Sequence, residues 1–144
     1  NMTTDDAYNY IDSNVDIDEF IDYCIAEIFI DNRDWPGNNI KFWQQRSTNS
    51  KWRWILYDTD FGFGIWDGSA YKFNTLQFAL DDSGPGWPNT PWSTFLLRKF
   101  IENGTFKNKF IGRYSTYSNT IFSPDYINQI ITDFSSKIRA FNYT

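Results

Sequence analysis

From residue 17 to residue 30 the apolar side chains fall at Ile17, Phe20, Ile21, Cys24, Ile25, Ile28 and Phe29. This alternation of three-residue and one-residue steps paints a single face of an α-helix. A strand cannot bury that set, because its side chains alternate with a period of two. Asp16 or Asp18 offers the N-cap. Pro36 and Gly37 forbid continuation, so residues 31–39 are expected to form a loop. Cys24, the single cysteine, lies on the apolar stripe, so it is expected in the core and has no intrachain disulfide partner.

Beyond the loop, residues 40–46 and 51–57 are rich in aromatic and β-branched residues, and Ser47-Thr48-Asn49-Ser50 separates them. That pattern predicts an antiparallel hairpin, with Trp52, Trp54 and Leu56 on the apolar face of the second strand. Residues 62–92 hold most of the glycines and prolines without a sustained period, which reads as a long loop and a candidate substrate or lid segment. Apolar residues return at helical intervals over 93–101, 106–117 and 126–141. Gly104 separates the first two helices; Ser123 is the N-cap of the third and Pro124 its first position. The expected architecture is α+β: one mostly helical domain, with a single hairpin between two acidic loops.

At 144 residues the chain is long enough to own a core. It contains 7 Trp, 9 Tyr and 14 Phe, which either fill cores or line stacking surfaces. A net charge of -5 with scattered Lys and Arg argues against nucleic-acid binding, which needs a basic patch. With no His, imidazole acid/base catalysis, His-bearing triads and His-ligated zinc are all excluded, so any catalysis rests on carboxylates. No apolar run approaches the ~20 residues that span a bilayer, and the N-terminus shows no signal-peptide pattern, so the chain is expected to be soluble.

Two acidic motifs flank the hairpin. Asn32-Arg33-Asp34 opens the first loop with Asn39 five residues beyond Asp34, and Asp58-Thr59-Asp60-Phe61-Gly62 follows the second strand. Protein kinases place a catalytic-loop Asp and Asn, then an Asp-Phe-Gly, in the same order. Five residues of loop can turn an amide oxygen and a carboxylate into one cleft, and the hairpin returns a second carboxylate. Each piece also has a plain structural role. Asp34 before Trp-Pro-Gly can make an Asx-turn, Asn38 and Asn39 tolerate left-handed turns, Asp58 and Asp60 can close a turn, and Arg33 can pair with a surface carboxylate. Carboxylates two residues apart repel unless a cation stands between them, which favours metal ligation at Asp58 and Asp60.

The segments Phe20-Ile21-Asp22-Tyr23, Asp34-Trp35-Pro36-Gly37-Asn38-Asn39 and Trp52 through Gly64 resemble the CotH kinase family, named for a spore coat protein. The likeness continues from Leu96 to Phe110 and covers most of the chain. Family members are atypical protein kinases that transfer phosphate from ATP to serine of secreted or surface proteins. The resemblance implies a kinase C-lobe-like domain with Asp34 and Arg33 as catalytic-loop residues and Asn38 and Asn39 beside the nucleotide. It also implies Asp60, Asp58 and Asn39 as ligands of Mg2+ or Mn2+; which aspartate is the principal ligand stays open. ATP and a secreted or surface protein are the implied partners, and an extracellular, cell-surface or spore-coat location the implied setting. Only fifteen polar residues precede the first apolar helix, so residues 1–144 are expected to be the C-terminal half of the kinase-like domain, without its N-terminal lobe and poorly active alone.

Two other readings use the same residues differently. A noncatalytic extracellular module would bind polysaccharide through Trp87 and Trp92, whereas Trp35, Trp43, Trp52, Trp54 and Trp66 are expected in the core. A structural coat or surface component would carry the acidic motifs as vestiges.

Overall fold

The computed structural model describes residues 2–83 and 86–141. Its elements are, in order, α1 (Asp5–Asn14), α2 (Ile17–Phe29), β1 (Phe42–Trp43), β2 (Arg53–Trp54), a 3-10 turn (Ala70–Lys72), α3 (Thr75–Leu80), α4 (Phe95–Ile101), α5 (Gly104–Ser118) and α6 (Pro124–Phe141). The chain is thus α+β and mostly helical, as its periodicities predict. It divides into two compact units, residues 1–110 and 111–144.

The first unit is organised on α2, which buries Ile17, Phe20, Ile21, Tyr23, Cys24, Ile25, Glu27 and Ile28. Asp16, not Asp18, is its N-cap, accepting a bond from the Glu19 amide at 3.3 Å. Phe20 meets Phe100 of α4 with ring centroids 5.3 Å apart, and Phe100 meets Phe106 of α5 at 5.1 Å. Tilted and edge-on contacts of this kind add to the stabilisation from apolar burial. Asn103, buried between α4 and α5, caps α5 by accepting from the Thr105 and Phe106 amides, and its Nδ2 donates to the Met2 carbonyl at 3.0 Å.

The hairpin forms in the expected antiparallel sense, Phe42 opposite Trp54 and Trp43 opposite Arg53, but each strand has only two residues. Other partners take over the remaining backbone. Trp52 exchanges bonds with Asn14 and Asp16, and the Trp54 amide donates to the Glu19 carboxylate at 2.9 Å. So small a ribbon has no buried face: Trp43, Trp52 and Leu56 are exposed, and Trp54 is half-buried against Phe20, 4.6 Å between centroids. Of the five tryptophans expected in the core only Trp35 is buried there.

Two helices depart from the sequence reading. α1 buries no residue fully, and half-buried Ala7, Tyr8 and Ile11 behind its Thr4 cap make a stripe too short to betray it. α3 is a six-residue helix capped by Asn74, inside the segment expected to be loop. Gly84 and Pro85 of that segment lie outside the described residues.

In the second unit, the Phe122 amide donates to the Tyr117 carbonyl at 2.8 Å and closes the turn before α6. Ser123 caps α6 through the Tyr126 amide at 3.4 Å, with Pro124 as its first residue. No helix among the described residues is long and apolar enough to cross a membrane.

Phe106 is fully buried at the centre of the ring cluster. Phe106→Ala is expected to lower unfolding free energy by roughly 3–5 kcal/mol in urea titration, the usual cost of emptying such a site. A loss below about 1 kcal/mol would show that the cluster is not the core.

Candidate active site

The stop signal of α2 comes earlier than Pro36. Asp31 adopts a left-handed conformation (φ 52°), its amide donates to the Ile28 carbonyl at 3.3 Å, and the Asn32 amide donates to the Glu27 carbonyl at 3.2 Å. This is a Schellman ending with Asp in the place glycine usually takes. A left-handed non-glycine residue costs about 1–2 kcal/mol. The Asp31 carboxylate accepts from Thr75 Oγ1 at 2.8 Å and pairs with Arg33 at 3.5 Å, both through Oδ1, while Oδ2 is buried without a hydrogen-bond partner.

The reversed chain then runs beside the second acidic motif. The Arg33 amide donates to the Phe61 carbonyl at 3.2 Å, and the Phe63 amide donates to the Ile30 carbonyl. Gly62 permits the approach, since a Cβ there would stand 3.0 Å from the Ile30 carbonyl oxygen. Gly37 is required more strongly: a Cβ there would run into the Pro88 carbonyl.

Asn39 ties the two motifs together. It is buried and left-handed (φ 55°), and its Nδ2 donates to Asp34 Oδ2 at 3.4 Å and to the Asp58 carbonyl at 3.2 Å. With the amide nitrogen so engaged, the amide oxygen is the atom Asn39 could offer a cation. Asp58 is left-handed too (φ 55°) and exposed. Its carboxyl is raised above the ordinary range, first by a hydrogen bond shared with Asp60, then by desolvation and by the charges of Asp60 and Asp34, while Lys41 pulls it down. The structure thus brings Asp34, Asn39, Asp58 and Asp60 into one group. Among the described residues no set of three or more His, Cys, Asp or Glu side chains is placed to hold a metal ion by itself. Magnesium in a nucleotide site asks for less: one or two carboxylates, with waters and phosphate oxygens completing the octahedron.

Arg33 is placed differently. Its guanidinium lies 3.7 Å from the Phe73 ring centroid and 4.2 Å from that of Trp66, and it pairs with Asp31. This sandwich clamps the loop to the segment before α3. Asn38 is exposed, and its amide closes the loop on the Asp34 carbonyl at 3.0 Å. An apolar cavity of about 180 Å³, walled by Tyr23, Trp35, Ile40, Trp92 and Leu97 among others, contains none of the four acidic-site residues.

Two polar residues beneath the loop escape a reading by motif. Glu27 is fully buried on the apolar face of α2, and Asn32 is buried with it, donating from Nδ2 to Glu27 Oε2 at 2.8 Å. The sequence signal was a charge seven residues after Phe20 and three after Cys24, in register with the stripe. Burial pushes the Glu27 carboxyl up to about 7, against the opposing pull of the Asn32 bond. A carboxyl held above its unfolded value of about 4.3 favours the folded state while protonated. That contribution is complete below the unfolded value and is lost as pH rises through about 7. Melting temperature is therefore expected to fall between pH 5 and pH 8 more steeply in the native chain than in Glu27→Gln. Parallel pH profiles in circular-dichroism melts would contradict this.

A family described as CotH kinase protein matches residues 1–143. The chain belongs to the CotH kinase family. It is accordingly a kinase-like domain. No curated protein and no solved structure matched the chain.

Proposed function

We propose that this CotH kinase-family chain carries the acidic part of a phosphotransferase site, which moves phosphate from ATP to a serine hydroxyl of a secreted or surface protein. The observation that carries the reading is the Asn39 amide, which bonds both the Asp34 carboxylate and the Asp58 backbone and so brings the catalytic-loop acid beside the Asp58 to Asp60 turn. Loop acids of this kind orient an attacking hydroxyl and accept its proton, the role assigned to Asp34. Asp60 and Asp58 supply hard carboxylate oxygens, and Asn39 an amide oxygen, the donor chemistry that suits Mg2+ or Mn2+. Their fit to a cation is supported by the upward push that Asp60 and the charge of Asp34 exert on the Asp58 carboxyl. The cation, when bound with nucleotide, neutralises charge on the transferring phosphoryl group. Asn38, exposed on the same loop, is the nucleotide-side residue. Arg33 holds the loop by its aromatic clamp and does not meet the reacting atoms in this reading.

The test is ATP turnover with magnesium or manganese, in protein containing this chain. Asp60→Ala and Asp34→Ala are each expected to lower turnover by about a hundredfold or more, with near-ultraviolet circular dichroism unchanged. Turnover indifferent to both substitutions would overturn the reading. The exposure of Trp87 and Trp92 at 68% and 64% favours a second reading, a polysaccharide-binding module whose glycan affinity depends on those rings and not on Asp60.

A further inference from the structure

A helix that buries Ile17, Phe20, Ile21, Cys24, Ile25 and Ile28 would gain stability from one more apolar residue at position 27. It has a glutamate there instead, fully buried, with Oε1 lacking any hydrogen-bond partner. Burying a carboxyl with one oxygen unsatisfied works against folding, so the remaining oxygen is where a compensating role must lie. Oε2 accepts from Asn32 Nδ2 at 2.8 Å. Asn32, itself 1% exposed, then accepts the Asp34 amide on its Oδ1 at 3.2 Å. Both ends of the Asn32 side chain are therefore occupied: the carboxylate fixes the amide group, and the amide group fixes the Asp34 peptide.

We propose that Glu27 is a positioning residue that sets the Asp34 peptide through Asn32. The proposal rests on the reading of Asp34 as the catalytic-loop acid for its importance, though not for its test. The Asn32 backbone is already held by the Glu27 carbonyl in the Schellman ending, at 3.2 Å. What the side chains add is an orientation: the Asn32 amide could otherwise rotate and turn its nitrogen toward the Asp34 amide, exchanging an acceptor for a donor. Oε2, by accepting from Nδ2, favours the rotamer whose oxygen faces Asp34.

The deciding measurement is hydrogen exchange of the Asp34 amide by NMR in the native chain, Glu27→Ala, Glu27→Gln and Asn32→Ala. The Cys24 and Ile25 amides serve as references for general loosening. Glu27→Ala and Asn32→Ala are expected to speed Asp34 exchange by about tenfold relative to those references, the factor that goes with one lost hydrogen bond. Glu27→Gln keeps an oxygen for Asn32 Nδ2 and is expected to stay near the native rate. Equal acceleration at all three amides would indicate a purely structural role and overturn the proposal, as would unchanged Asp34 exchange in Glu27→Ala. Should Glu27→Ala fail to fold, Glu27→Met, which fills the site with an apolar side chain and offers Asn32 no oxygen, decides by the same criterion. Absence of ATP turnover in the native chain would count against the phosphotransfer reading alone, because the exchange contrast needs no activity.

Discussion

The architecture of the acidic site depends on one reversal of the chain, the left-handed turn at Asp31 that ends α2. Because the Asn32 amide reaches back to the Glu27 carbonyl, the chain folds over the end of its own helix and does not drift into solvent. From there the loop can lie against the Phe61 to Phe63 backbone, and Asn39 can reach both Asp34 and Asp58. Asp31 takes a conformation that costs a non-glycine residue energy, and its carboxylate is bonded to Thr75 of α3 and paired with Arg33. A helix end, a short helix in the following segment and an aromatic clamp therefore share one purpose, which is to fix where Asp34 begins.

The second organising force is aromatic. Phe20, Phe100, Phe106 and Trp54 join α2, α4, α5 and the hairpin into a common ring cluster. This lets a ribbon of two paired residues per strand hold the Asp58 turn in place without a larger sheet. Some backbone groups that a longer hairpin would pair internally are instead satisfied by Glu19, Asn14 and Asp16, so the ribbon is anchored to the helices as well as to itself.

What the sequence reveals follows from how each element is stabilised. α2, α4, α5 and α6 bury or present regular apolar stripes, and their spacing announces them. α1 relies on a cap and α3 on six residues and an Asn74 cap, signals too short to stand out from turn chemistry. The hairpin was legible but its length was not, because its ends are completed by side chains distant in sequence. The tryptophans were misplaced for a related reason: aromatic content says that rings pack on something, and a two-residue ribbon leaves Trp43 and Trp52 at the surface. At the site, the order of Asp34, Asn39, Asp58 and Asp60 around a hairpin marked residues that the fold brings together. Glu27 and Asn32 stayed hidden because their importance lies in a bond beneath the loop, and a charge on an apolar face shows only that something must satisfy it.

The CotH kinase family supplies the chemical context, and the proposed phosphotransfer sets a condition on the geometry: two acidic segments must face one cation. The most direct measurement is a crystal structure of the chain with manganese and a nonhydrolysable ATP analogue, read by anomalous scattering. A manganese peak is expected at coordination distance from an Asp60 or Asp58 carboxylate oxygen, on the side where Asn39 meets Asp34. A fully occupied manganese and nucleotide bound elsewhere, with Asp34, Asp58 and Asp60 still bonded only to protein and water, would contradict it.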